Sequence, residues 1–380
     1  MPRVRILLST GRAVVCGLCA TVLGLVLVGK SSQVACGQPA PAVDSIGQAL
    51  VANHPGGAVI GLLRGDTTAV HAFGAVDSTG QIPTARTLFE IGSITKTVTG
   101  LLLADAIERG EVERSTPVTT LLPDSVTIGP ADSTTVTLEH LATHRSGLPR
   151  LPSNLGATAR PRDPYAAYGD SALYAFLDGY VLPRAPGTTY EYSNLGMGLL
   201  GHLLARQADT PYAALVRQRI AAPLGLSDTR VHLTDAQQSR FAQGHTRVGA
   251  PALSWHFDAL AGAGALRSTA ADLLAYLRAH RRALTVGPDT TPALHRAMRR
   301  ATTVYAPTDR ESTRIGLGWH QSTREGHAVL WHNGGTGGFR SLVALDRDTG
   351  HGVVVLVSTA LSSRRVTETG MALLHALRSD

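Results

Sequence analysis

Apolar positions follow four different patterns along the 380 residues. The first is an unbroken run, "AVVCGLCATVLGLVLVG" (13–29), which follows Arg3, Arg5 and Arg12, with no acidic residue before Asp44. A basic stretch leading into an apolar core is the layout of an export signal. The run also reaches the lower length limit of a membrane-spanning helix, which leaves an uncleaved anchor as the alternative. Cleavage is expected after Ala35, Cys36 or Ala42, and "QVAC" makes Cys36 a candidate for lipidation. Residues 1–35 are therefore read as a signal or N-terminal anchor and 36–44 as a linker.

The second pattern is a helical spacing over 44–53, followed by "GAVIGLLRGDTTAVHAFGAVD" (57–77), which predicts two strands joined by a turn at Gly65-Asp66. The third is mainly helical. "SITKTVTGLLLADAIERGEV" is apolar at i, i+3, i+4 and i+7, so a helix is predicted from near Ser93 to Gly110. Shorter helices are predicted over 138–144, 170–180, 195–207, 212–221 and 270–283. The fourth pattern returns to strands: 327–332, 338–346 and 351–359 read as an antiparallel meander, and 364–377 as a closing amphipathic helix.

Strands at both ends of a helical middle predict an α+β unit over 45–378. One antiparallel sheet is built from both chain ends (about 45–95 and 311–378), with flanking helices and an inserted, mainly helical lobe (about 96–310). A crevice between the lobes is the expected site.

Composition narrows the chemistry. The 43% hydrophobic content is that of a globular chain. The formal charge of +7 is inflated by residues 1–35, which hold four cations and no acid, so the remainder carries +3. The arginines cluster only over 278–282 and 296–300, without interleaved aromatics, which argues against a nucleic-acid surface. All three cysteines, Cys16, Cys19 and Cys36, lie at or before residue 36, so the rest of the chain has neither a thiol nucleophile nor a thiolate metal site.

Of the 35 basic residues only Lys30 and Lys96 are lysines. Lys96 follows Ser93 by three at a helix start, a spacing that puts both side chains on one face. A serine hydroxyl needs a base before it can attack, and a lysine amine can lose its proton on burial whereas arginine cannot. The helix N-terminus adds N–H groups beside a developing oxyanion. Two further stretches carry polar groups. "YEYSNLG" (190–196) sets Tyr192 and Asn194 in a pre-helix loop, either as proton relay and amide ligand or as packing and N-cap residues. "WHNGGTGGF" (331–339) sets a polar or cationic His332 and Asn333 beside Gly334 and Gly335, either as a ligand-facing edge or as a glycine-rich turn.

In this order the three stretches resemble the serine β-lactamase and penicillin-binding protein family, in the branch of class C β-lactamases, DD-peptidases and related esterases. The resemblance runs over roughly 45–375 and includes "TLEHLATHRSGLP", "PGTTYEYSNLGMGLLG", "PLGLSDT" and "AGAGALRSTAADLLAY". It implies that Ser93 is the acyl-enzyme nucleophile and that Lys96 and Tyr192 share proton transfer. Asn194 would orient the substrate amide or Lys96, and the N–H groups of Ser93 and Gly335 would form an oxyanion hole, with Gly334 alongside. His332 and Asn333 stand where many members have the first two residues of a Lys-Thr-Gly triplet.

The resemblance ranks β-lactam amides first as substrates, D-amino-acid peptides second and small esters third. A covalent sensor that binds without turnover would keep the same residues. No cofactor is expected: the glycines of "AGAGAL" and "GGTGG" lack a dinucleotide fingerprint's setting, and "EHLATH" has the Glu-His order, not the His-Glu of a zinc protease. The partners expected are a small-molecule or peptide substrate, with membrane contact only through the N-terminal segment. The chain is expected to be an exported monomer, periplasmic or secreted.

Overall fold

A computed structural model describes residues 41–129, 135–286 and 292–379; the readings on residues 1–40 lie outside them. The chain opens with α1 (Pro41–Val51), β1 (Gly57–Arg64), β2 (Thr67–Gly74), β3 (Phe89–Glu90) and α2 (Thr95–Glu108). Next come β4 (Ile128–Gly129), α3 (Leu138–Ala142), α4 (Leu155–Thr158), α5 (Asp170–Leu177), β5 (Tyr180–Val181), α6 (Asn194–Gln207) and α7 (Tyr212–Val216). α8 (Asp235–Gln238), β6 (Arg267–Ser268), α9 (Ala270–Thr285) and α10 (Ala293–Thr302) lead to β7 (Ala306–Pro307), β8 (Thr313–Ile315), β9 (His320–Arg324), β10 (His327–Gly335), β11 (Arg340–Asp346), β12 (Gly352–Val357) and α11 (Ser363–Ser379).

Eight strands form one antiparallel sheet in the order β2-β1-β12-β11-β10-β9-β8-β7. The first hairpin joins the last strand, with Ala58 opposite Val357 and Leu62 opposite Val353, so the sheet is built from both chain ends as expected. Its period-two alternation serves two cores. Ala58, Ile60, Val353 and Val355 face α1 and α11, while Val59, Leu63, Val354 and Leu356 join the larger core with α9 and the helical lobe.

Four expectations change. α1 begins at Pro41, inside the expected linker. α9 packs on β1, β12 and β11 as a layer of the sheet lobe, and the sheet extends back to Ala306 through β7, β8 and β9, whose polar sequences give little alternation. α2 is not amphipathic: every residue from Thr95 to Ala106 is buried. Its threonines satisfy their hydroxyls internally, Thr97 donating to the Ile94 carbonyl and Thr99 to the Gly262 carbonyl, so a polar-looking first turn sits at the centre of the fold.

Candidate active site

Ser93 lies in a single 3₁₀ turn, Gly92–Ile94, that feeds α2. Gly92 adopts φ +49°, and a Cβ there would sit 2.6 Å from the Gly335 nitrogen. Opposite, a Cβ on Gly334 would sit 2.0 Å from the Ile91 carbonyl, which also accepts a hydrogen bond from Ser341 Oγ. Glycine at both positions thus lets the end of β10 press against the turn that carries Ser93.

Lys96 is wholly buried. Its Nζ is 3.0 Å from Ser93 Oγ and 2.6 Å from the carbonyl oxygen of Ala263. Burial, reinforced by the nearby Arg150 guanidinium, holds its pKa well below the usual lysine value. The amine donates to the Ala263 carbonyl and lies within hydrogen-bond reach of Ser93 Oγ.

Tyr192 closes the other side. Its ring centroid is 5.0 Å from Lys96 Nζ and 4.5 Å from the ring of His144. Burial pushes the phenol up to about 12 even though Ser93 hydrogen-bonds it, so at neutral pH it is a proton donor. The turn that presents it is locked: Ser193 caps α6 by accepting from Gly196 N–H, donates to the Pro149 carbonyl, and its own N–H donates to His144 Nδ1. The N-cap reading holds for Ser193, and Tyr192 on the adjacent position faces Lys96.

Asn194 donates to the Tyr165 hydroxyl at 3.2 Å, while its Oδ1 is buried with no partner among the described residues. Its amide therefore addresses Tyr165, leaving a free acceptor. His332 is buried, and its Nδ1–H reaches the Asn333 carbonyl at 2.6 Å. Burial, with His320 and Lys96 nearby, holds its pKa well below the usual value. Both causes disfavour its charged form. Asn333 alternates to the opposite face of β10, where its amide donates to Thr367 of α11.

His140 and His144 do not converge. His140 Nδ1 accepts from the Thr137 N–H in a capping box, and His144, at φ +57°, turns toward Tyr192. The histidine–carboxylate group that does converge among the described residues, His327 with Asp346 and Asp348, is tied to Arg378 through Asp346.

The site opens into a cleft of about 810 Å³, with Ser93, Tyr192, Trp255 and Gly335 among its lining residues. Sequence reasoning missed several participants. Ala263 acts through its backbone and left no side-chain signal. His320, whose ring is 5.1 Å from that of His332 and whose Nε2 meets the Tyr190 hydroxyl at 3.1 Å, sits in an unremarked "GWHQ". Arg150 directly follows the "SGLP" stretch.

The Beta-lactamase family model matches residues 43–377, and the chain belongs to that family of serine hydrolases. A D-alanine carboxypeptidase AmpC from Burkholderia cenocepacia shares the fold with a TM-score of 0.72, at 26% identity over 88% of this chain and 99% of that one. The D-alanyl-D-alanine-carboxypeptidase/endopeptidase AmpH of Escherichia coli strain K12 is 27% identical over 74% of each chain. An unguisins hydrolase of Aspergillus campestris is 29% identical over 85% of this chain, which covers 62% of that protein's length.

Proposed function

We propose that this chain is an exported acyl-transfer hydrolase that opens β-lactam amides through a covalent ester on Ser93. The observation that carries the reading is the 3.0 Å contact between Ser93 Oγ and a fully buried lysine amine. Ser93 Oγ attacks the carbonyl carbon while Lys96 takes its proton. The N–H groups of Ser93 and Gly335 hold the oxyanion. When the C–N bond breaks, Tyr192 protonates the leaving nitrogen and recovers a proton from Lys96. Water then attacks the ester while the Lys96–Tyr192 pair takes its proton, and as the C–O bond breaks the pair passes that proton to Ser93 Oγ, freeing the serine and the carboxylic acid. Asn194 Oδ1 accepts from the substrate's side-chain amide.

The two D-alanine carboxypeptidase relatives favour a second reading in which the acyl donor is a peptide ending in a D-amino acid. A time course of intact mass with a penicillin and a chromogenic cephalosporin separates the readings. An adduct on Ser93 that forms and decays as substrate is consumed supports β-lactam hydrolysis. A persistent adduct moves the assignment to a peptidase or a covalent sensor, and no adduct at all overturns the β-lactam reading.

A further inference from the structure

Two imidazoles in the site each have one ring nitrogen engaged and one left over. His332, buried on β10, donates its Nδ1–H to the Asn333 carbonyl at 2.6 Å, which fixes the tautomer and leaves Nε2 a bare lone pair. His320, on β9, meets the Tyr190 hydroxyl through Nε2 at 3.1 Å, and with that hydroxyl accepting, Nδ1 is the bare nitrogen. Both leftover nitrogens are buried without a hydrogen-bond partner among the described residues. Buried polar atoms are normally satisfied, so the pair calls for a shared partner from outside the chain.

The spacing fits a metal ion. The two ring centroids are 5.1 Å apart, with the planes tilted by 48°. Two imidazoles on one tetrahedral ion, with zinc–nitrogen bonds of about 2.0–2.1 Å, have ring centres about 5.2 Å apart. The engaged nitrogens fit as well, since a ligating histidine gives its other N–H to a carbonyl or similar oxygen, which orients the ring. Trp331 stacks on His320 at 4.9 Å and holds it further. Burial favours neutral imidazole, the ligating form, at both rings. His320 also lines the cleft, which gives an ion its way in. The group of His327, Asp346 and Asp348 is a poorer candidate, because Arg378 already occupies Asp346.

We infer that His320 and His332 form a site for a transition-metal ion of the zinc class, entered from the cleft, and that the bound ion blocks acylation. A nitrogen-only pair selects zinc, copper or nickel over magnesium and calcium, which need oxygen ligands. Two protein ligands are fewer than a resident zinc has, so the ion binds reversibly and water fills its other positions. The ring of Tyr192 is 6.3 Å from that of His332, and Lys96 is close enough for its charge to act on both imidazoles. A dication in that place opposes positive charge on Lys96 when the amine has to take the serine proton. The block rests on the acyl-enzyme reading above, and the binding does not.

The test is isothermal titration of the untagged protein with zinc chloride, in a His327→Gln background that removes the histidine of the group with Asp346 and Asp348. That chain should bind one zinc ion more than its His320→Gln or His332→Gln derivative, with melting curves showing that each is folded. Tyr190→Phe removes the oxygen that holds His320 Nε2, and should keep the site but weaken it on the order of 10–100-fold. Equal zinc binding by all four chains would overturn the site and leave the two nitrogens to a shared water. Where a glutamine variant does not fold, the tyrosine variant decides: unchanged zinc affinity there overturns the site.

Zinc should also slow formation of the Ser93 adduct with a chromogenic cephalosporin in the wild type. EDTA should restore the rate, and His320→Gln should show no slowing. Zinc binding with undiminished acylation would overturn the block and keep the site. Failure to form an adduct even without zinc would overturn the acyl-enzyme reading and the block with it, while the titration still decides the site.

Discussion

The Nζ of Lys96 is closer to the carbonyl oxygen of Ala263, at 2.6 Å, than to the hydroxyl of Ser93, at 3.0 Å. The amine is thus anchored by the backbone, with the serine hydroxyl within hydrogen-bond reach. If Lys96 is the base, as proposed, Lys96→Arg puts a permanent cation there that has no lone pair to take the serine proton. Acylation, read in the burst phase with a chromogenic cephalosporin, should fall on the order of 10²–10⁴-fold. A melting curve guards against misfolding, since the larger head must fit a fully buried place. Near-normal acylation by a folded arginine variant would show that Lys96 is not the base.

The Ala263 anchor depends on its neighbour. A Cβ on Gly262 would lie 2.7 Å from the Met197 carbonyl and 2.9 Å from the Gly201 Cα, both backbone atoms of α6. Gly262→Ala should push the turn off α6, costing about 1–3 kcal/mol of stability, as overpacking does. It should also slow acylation, because the carbonyls of Gly262 and Ala263 hold Thr99 and Lys96. Gly156→Ala, where the added carbon meets open space, is the matched control for both readouts.

These two cases show what the sequence made legible. Ser93, Lys96 and Tyr192 could be picked out as candidates because the proposed chemistry needs particular side chains at particular spacings, and the two-ended sheet could be read because β1, β11 and β12 are nearly continuous apolar runs. Ala263 could not be found, since a carbonyl has no residue signature. The all-round burial of α2 was hidden because threonines whose hydroxyls are satisfied by buried backbone carbonyls look like a polar face. Strands β7 to β9 were missed because "HQSTR" is polar at most positions, although Ser322 is buried and accepts from the Trp331 indole.

Tyr192 carries a prediction about the alkaline side. Its phenol, raised to about 12, remains protonated through ordinary assay conditions. The pH profile of kcat/KM should therefore rise as Lys96 deprotonates and show no alkaline fall from Tyr192 below about pH 10. Tyr192→Phe should lower kcat without moving the acid limb, because burial and Arg150 cause the lysine shift. A limb that moves in the phenylalanine variant would instead make the phenol part of the lysine's electrostatic environment.

Away from the site, His280 of α9 has both ring nitrogens buried without a hydrogen-bond partner among the described residues, packed edge-on against Tyr276 and Trp319 with ring centroids 4.6 and 5.0 Å away. Burial lowers its pKa to about 3, whereas the unfolded chain binds that proton near 6.5. The folded state is then favoured above pH 6.5 and loses this contribution as pH falls from there toward 3, because only the unfolded chain gains the proton. The slope for one such group is about 1.4 kcal/mol per pH unit. Urea midpoints between pH 7 and 5 should fall steeply in the wild type. His280→Leu, of similar volume and with no proton to bind, should reduce that slope by one group's worth, leaving the parts contributed by His144, His320 and His332. An unchanged slope in the leucine variant would mean that His280 takes up its proton in the folded protein, and the packing of α9 against Trp319 would have to open to let it.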